Sequence, residues 1–134
     1  MNYSQTLIDH FRHPRNAGMM RDPDGVGEDT FEACGDLARF YIKVVDGRVS
    51  EVRFQTYGCG PTIAASSAGS ELAPGRSVSE LLAVREQEVT AAVGGLPDER
   101  LHAAQVVAGA LRAAAQDYLA RRDTSNRAEV RQHV

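Results

Sequence analysis

Apolar and polar positions alternate in two runs on either side of Asp46-Gly47. In the first run Ala38, Phe40, Ile42 and Val44 share one face. In the second Val52 and Phe54 do so, interleaved with Glu51, Arg53 and Gln55. A period of two marks strands buried on one side and predicts a hairpin over residues 37–45 and 48–57. A strict two-residue Asp-Gly turn would pair Phe40 with Arg53 and put a charge on the core face. A three-residue loop, Val45-Asp46-Gly47 with Gly47 left-handed in a bulge, pairs Phe40 with Val52 and Ala38 with Phe54, and the pattern favours that register. Carried to the open end, it sets Asp36 opposite Thr56 and Cys34 opposite Gly58, beside Cys59.

Helical periodicity fills most of the remainder. Leu7, Ile8 and Phe11 make an apolar stripe over residues 2–12, with Ser4 as a cap and Pro14 as a stop. Residues 16–32 read as a loop, rich in glycine, proline and aspartate (Gly18, Pro23, Asp24, Gly25, Gly27). Pro61 suits a first helical turn, so the small, apolar run 62–72 predicts a closely packed helix that ends at Pro74-Gly75. Ser77 and Glu80 form a capping pattern for a helix over 77–84, and 86–93 reads as another, closed by Gly94-Gly95. Residues 98–122 predict the longest helix, with Leu101, Ala104, Val107, Ala108, Leu111, Ala115 and Tyr118 at helical spacing. Periodicity stops at Asp123. The expected organisation is one domain over 1–122 and a disordered polar tail over 123–134.

Composition narrows the class. A chain of 134 residues supports one modest core, and with no tryptophan that core rests on Val, Leu, Ile, Ala and four phenylalanines. Net charge is -3 and the folded part has no basic run, so nucleic-acid binding lacks electrostatic support. Arg121, Arg122, Arg127 and Arg131 alternate with Asp123 and Glu129 and read as a solvated helix end and tail. No N-terminal apolar run is present, and no stretch approaches the ~20 apolar residues of a membrane span. The expectation is a cytoplasmic protein without a membrane partner, whose two cysteines are free or metal-bound rather than disulfide-linked.

The cysteines sit in small-residue turns, Ala33-Cys34-Gly35-Asp36 and Tyr57-Gly58-Cys59-Gly60. The hairpin folds its outer ends together, so the two thiols and Asp36 become neighbours. Thiolates are soft donors for zinc, copper(I) and iron–sulfur centres, and a carboxylate can complete such a site. Glycine beside each cysteine permits the backbone angles that aim both sulfurs at one point. Cys59 precedes a helix N-terminus, where the helix dipole favours thiolate. Two readings stay open on spacing alone: a metal or reactive-thiol site, or two core cysteines with a strand-entry aspartate. His10, His13 and His133 read as surface or structural, and so by itself does His102, near the start of the long helix beside Ala103. No Ser/His/Asp motif, phosphate loop, dinucleotide fingerprint or HExxH helix argues for a hydrolase or an oxidoreductase.

Over residues 3 to about 122 these segments resemble the IscU/NifU-type iron–sulfur cluster scaffold proteins. The resemblance is carried by Tyr3-Ser4, Ile8-Asp9-His10-Phe11 and Pro14-Arg15-Asn16-Ala17-Gly18 near the start. It continues in Ala33-Cys34-Gly35-Asp36, in Tyr57-Gly58-Cys59-Gly60 with Ile63-Ala64 after it, and in Leu96-Pro97 leading to His102. It implies an α+β fold: a small three-stranded antiparallel sheet with helices packed on one side, a long C-terminal helix, and the site at one exposed end. It also implies an assembly site of three cysteines, an aspartate and a histidine. By position these fall on Cys34, Asp36, Cys59 and His102, while the third cysteine's place directly after the histidine holds Ala103.

Other departures favour natural divergence over an engineered alanine. The family's chaperone-recognition segment, Leu-Pro-Pro-Val-Lys, reads Leu96-Pro97-Asp98-Glu99-Arg100, which weakens the case for a chaperone contact. Pro61 and Thr62 replace the small residues usual after the second cysteine. The resemblance implies a scaffold or carrier, not an enzyme by itself. It would bind iron or a labile [2Fe-2S] cluster at Cys34, Asp36, Cys59 and His102, receive sulfur from a cysteine desulfurase, and pass the cluster to recipient apo-iron–sulfur proteins. Zinc is the ion such a four-donor set would hold in purified protein. Histidine or carboxylate in place of thiolate alters cluster charge and lability, and without the third cysteine Cys59 or Cys34 must accept the sulfur. Two rival expectations are a divergent sulfur-relay or desulfurase-binding regulatory protein that builds no cluster, and a zinc-stabilised interaction domain.

Overall fold

The computed structural model describes residues 3–132, with side chains described for residues 3–124. Three strands, β1 (Gly25–Phe31), β2 (Asp36–Val45) and β3 (Arg48–Tyr57), form an antiparallel sheet in the order β1-β2-β3. Helix α1 (Gln5–Arg12) precedes the sheet. Helices α2 (Gly60–Leu72), α3 (Val78–Leu82), α4 (Glu86–Ala92) and α5 (His102–Gln132) follow it. They gather on the sheet face that carries Ala38, Phe40, Ile42, Val52 and Phe54. There the sheet meets Ala64, Ala65 and Ala68 of α2 and Val106, Val107 and Leu111 of α5 in one buried cluster. This is the expected α+β architecture.

The hairpin forms, but its register differs from the expected one. Val45 pairs with Arg48 across Asp46-Gly47, both at positive φ (53° and 76°), the backbone of a two-residue type I′ turn. The register then shifts between Val44 and Lys43, so that Val44 pairs with Val49 and Lys43 with Glu51. Ser50 is the extra residue of the resulting bulge. Beyond it Phe40 pairs with Phe54 and Ala38 with Thr56, not with Val52 and Phe54 as the sequence pattern favoured. The physical reason lies in Val49 and Val52, both buried although three residues apart. A bulge is what places both on one face. It also removes the charge that a strict two-residue turn would have brought to the core.

Strand β1 corrects the reading of residues 16–32 as loop. Gly25 and Gly27 look like turn residues, yet both lie in the strand because α5 presses against them. A Cβ on Gly27 would run into the backbone of Ala110, Ala113 and Ala114, and one on Gly25 into that of Ala114. Glycine in a strand here marks close backbone approach. The outer edge of β1 is occupied by α5 as well, where the Val26 N–H donates to Asp117 Oδ2 at 2.8 Å. On the far edge of the sheet, residues 16–18 cover β3 through Gly18 N–H to Phe54 O and Phe54 N–H to Asn16 O.

The helix signals hold with shifted ends. Ser4 caps α1 by accepting from the Leu7 N–H at 2.9 Å. Ser77 and Glu80 form the capping box of α3. Helix α5 begins only at His102, after a 3-10 turn at Asp98–Arg100. It continues to Gln132 rather than ending at Arg122, with no glycine or proline after Arg122 to stop it. His133 lies outside the described residues. Among the described residues, no helix is long and apolar enough to cross a membrane.

The serines of α2 are buried and paired. Ser67 Oγ meets His10 Nδ1 at 2.7 Å and accepts the Arg15 N–H at 2.9 Å. His10 is thus a core residue between α1 and α2. Its burial, reinforced by the Arg15 charge, lowers its pKa below the usual histidine range despite Glu71 and Asp9 nearby. The unfolded chain therefore takes up this proton more readily than the folded one. The His10 contribution to stability is complete above about pH 6.5 and is lost as pH falls below it.

Two outcomes follow for stability. Urea unfolding at about pH 7.5 and about pH 5 should show a larger acid loss for the wild type than for His10→Asn, which retains a polar partner for Ser67 without titrating. Gly27→Ala should destabilise the fold by ~1–3 kcal/mol in the same assay, because α5 has to lift from β1 to admit the methyl group.

Candidate metal centre

The β2–β3 hairpin, the start of α2 and the start of α5 converge at one end of the sheet. Asp36 opens β2, Cys59 is the N-cap of α2, and His102 is the first residue of α5. One donor atom from each lies within 4.8 Å of the other two. Cys34 is the fourth sequence-predicted residue. It sits exposed on the 3-10 turn Glu32–Cys34 that carries β1 into β2, outside this group of three. The register accounts for the difference. The last β2–β3 pair is Leu37 with Tyr57, so the pairing continued by one residue sets Asp36, not Cys34, opposite Gly58. Both cysteines are free thiols.

Asp36 organises the group. Its side chain is only 1% exposed, and both of its oxygens are engaged. Oδ2 lies 2.8 Å from His102 Nε2 and accepts the Thr62 hydroxyl at 3.0 Å, while Oδ1 accepts the Cys59 N–H at 3.3 Å. A carboxylate removed from water needs such partners, since an unpaired one would cost several kcal/mol or more. Gly58 makes room for it: a Cβ there would collide with the carboxylate.

His102 is fixed from a second direction. Its ring stacks on Phe31, with centroids 4.5 Å apart and planes 17° apart. Phe31 ends β1 and pairs with Asp36 across the sheet. One strand pair therefore supplies both the carboxylate that bonds the imidazole and the ring that supports its face. Ala103, the next residue of α5, is fully buried in the core cluster.

Thr62, in the first turn of α2, is a member of the site that sequence reasoning left out. It is fully buried, and its hydroxyl lies 3.2 Å from Cys59 Sγ as well as 3.0 Å from Asp36 Oδ2. The available signal was its place three residues after Cys59, on the same helical face. Beside Cys59 opens a cavity of ≈ 470 Å³, lined by Leu7, Ile8, Phe11, Pro61, Arg12 and Arg100 among others. The apolar stripe of α1 thus faces this cavity as much as the core, and Phe11 remains 48% exposed.

A soft thiol sulfur, an imidazole nitrogen and a carboxylate oxygen held this close form a mixed donor set suited to iron or zinc. Comparison with known proteins gives the family. The family model described as the NifU-like N terminal domain matches residues 2–125, and the chain belongs to this family. It is 45% identical over 116 residues to the iron-sulfur cluster assembly scaffold protein IscU 1 of Archaeoglobus fulgidus, covering 87% of this chain and 76% of the relative. It is 37% identical over 127 residues to the iron-sulfur cluster assembly scaffold protein IscU of Escherichia coli K12, covering 92% and 98%. The fold is shared with a putative iron-sulfur cluster assembly scaffold protein for the SUF system from Fervidobacterium islandicum, at TM-score 0.70 and 17% identity over 84% of this chain and 96% of that one.

The packing at Gly58 yields a direct check. Gly58→Ala should displace the Asp36 carboxylate. The His102 ring resonances should then shift in NMR spectra while methyl signals of the distant core, such as Val89 and Val93, stay in place.

Proposed function

We propose that this protein is an iron–sulfur cluster assembly scaffold, in which Cys34, Asp36, Cys59 and His102 hold iron or a labile [2Fe-2S] cluster. The observation that carries this reading is the convergence of Asp36, Cys59 and His102 within 4.8 Å, in a chain of the NifU-like family. Cys34 supplies the second thiol. It is separated from Asp36 by Gly35 alone, whose left-handed φ of 69° turns the chain back into β2. Iron, sulfide and cluster are the cargo of such a protein, and no turnover of its own is part of this role. Sulfur would come from a cysteine desulfurase, with Cys59 or Cys34 as acceptor, because Ala103 offers no thiol. Recipient apo-iron–sulfur proteins would take the finished cluster. The cavity beside Cys59 supports access for such partners from the α1 side.

Mixed ligation fits the task. Thiolates bind iron tightly, whereas imidazole and carboxylate ligands lower that grip and alter cluster charge. A scaffold with two cysteines should hold its cluster loosely and release it readily.

Anaerobic incubation with ferrous iron and sulfide should give visible charge-transfer absorption in the wild type. Cys59→Ser should abolish it, and His102→Ala should shorten its lifetime. Failure of the wild type under conditions that load a three-cysteine relative would overturn the proposal. A persulfide on Cys59 without retained iron, after incubation with a desulfurase and cysteine, would assign the protein to sulfur relay instead.

A further inference from the structure

We infer that Thr62 is a positioning residue for this site: its hydroxyl holds the Asp36 carboxylate and the Cys59 sulfur in the arrangement that receives a metal ion. The inference rests on the reading of Asp36, Cys59 and His102 as ion ligands. Thr62 lies one helical turn beyond Cys59 and is fully buried. Its hydroxyl donates to Asp36 Oδ2 at 3.0 Å and contacts Cys59 Sγ at 3.2 Å. These contacts link a ligand from the start of β2 to a ligand from the cap of α2. A hydroxyl has one proton and two lone pairs. Donation to the carboxylate uses the proton, so toward Cys59 the oxygen accepts from the thiol S–H of the ion-free protein, a contact that aims the sulfur at the site before the thiol gives up its proton on binding an ion.

The same carboxylate oxygen also meets His102 at 2.8 Å. Its direction therefore sets the spacing among all three donors. A β-branched side chain in a helix has few rotamers, and the contacts to Asp36 and Cys59 select one of them. Ser66 steadies the same turn by donating its hydroxyl to the Thr62 carbonyl at 2.9 Å. With three donors grouped rather than a full thiolate set, each donor that is ordered beforehand spares the entropy of ordering it on binding. Outer partners of ligating groups are worth roughly 10–100-fold in metal affinity.

The test is anaerobic titration with Co2+, followed by its d–d and thiolate-to-cobalt absorption, on wild type, Thr62→Ser, Thr62→Val and Thr62→Ala. Urea unfolding of each ion-free protein accompanies it. Thr62→Ser should bind within a few-fold of wild type. Thr62→Val, which keeps the branched shape without the hydroxyl, should bind roughly 10–100-fold more weakly and show an altered thiolate band. Thr62→Ala reports the same loss should Val fail to fold. Wild-type affinity in a folded Val or Ala variant overturns the inference. So does a loss in Thr62→Ser equal to that in Thr62→Val, because the loss would then follow shape and not the hydroxyl. A wild type that binds no Co2+, with Asp36→Ala and His102→Ala indistinguishable from it, overturns the ligand reading itself and this inference with it.

Discussion

Gly27 lets the backbone of α5 lie directly against β1, and this contact fixes where the helix begins relative to the end of the sheet. The two elements run side by side with matched lengths. From His102 to Ala114 the helix rises about 18 Å. From Phe31 back to Gly25 the strand spans about 20 Å. Phe31 therefore meets His102 at one end while Gly25 meets Ala114 at the other, with Asp29 against Gly109 and Gly27 against Ala110 between them. A side chain at Gly27 would break this ladder, because it would meet the α5 backbone itself. Because Phe31 is paired with Asp36, the ladder also brings the imidazole to the carboxylate.

The buried carboxylate is costly as a stability device. Removing a charge from water costs several kcal/mol, and a buried pair with an imidazole rarely returns a net gain over a well-packed apolar equivalent. Asp36 is nonetheless supported by His102, Thr62 and the Cys59 N–H, so that the folded protein tolerates it. Such expense is expected where local stability yields to function. The hydrophobic cluster beneath the sheet, built from small and branched aliphatic residues with Phe40 and Phe54, buries no charge of this kind.

Much of this was legible in the sequence. The hairpin, the Ser77–Glu80 capping box and the small-residue helix after Cys59 followed from periodicity and caps. The family resemblance supplied the three-stranded sheet and pointed to His102 as a neighbour of Asp36 and Cys59, neither of which local pattern gave. Strand β1 was invisible locally because Gly25 and Gly27 serve a contact with α5, a partner far away in sequence. The register was two residues out because it was read from Val52 and Phe54. Val49, three positions before Val52, carried the sign of the Ser50 bulge. That shift decided which residue faces Gly58, and so moved Cys34 outward and Asp36 inward. Thr62 registered as a departure from the family but not as a neighbour of Asp36 and Cys59, because those contacts need the packing of α2 against the start of β2.

Depth orders the ligands of the proposed site. Asp36 and His102 have side chains only 1% and 9% exposed, Cys59 is half-buried, and Cys34 is exposed. The hard and borderline donors are held by the sheet and by α5, which the fold cannot easily move. The soft donors lie on the α2 cap and on a short turn, where partners can reach them. Ala103 sharpens the division. In this chain the position after His102 belongs to the core, so the start of α5 contributes rigidity and an imidazole but no sulfur. Cargo held on the proposed reading would be anchored weakly from beneath and through thiolate only from the accessible side. That asymmetry favours handing a cluster outward over retaining it.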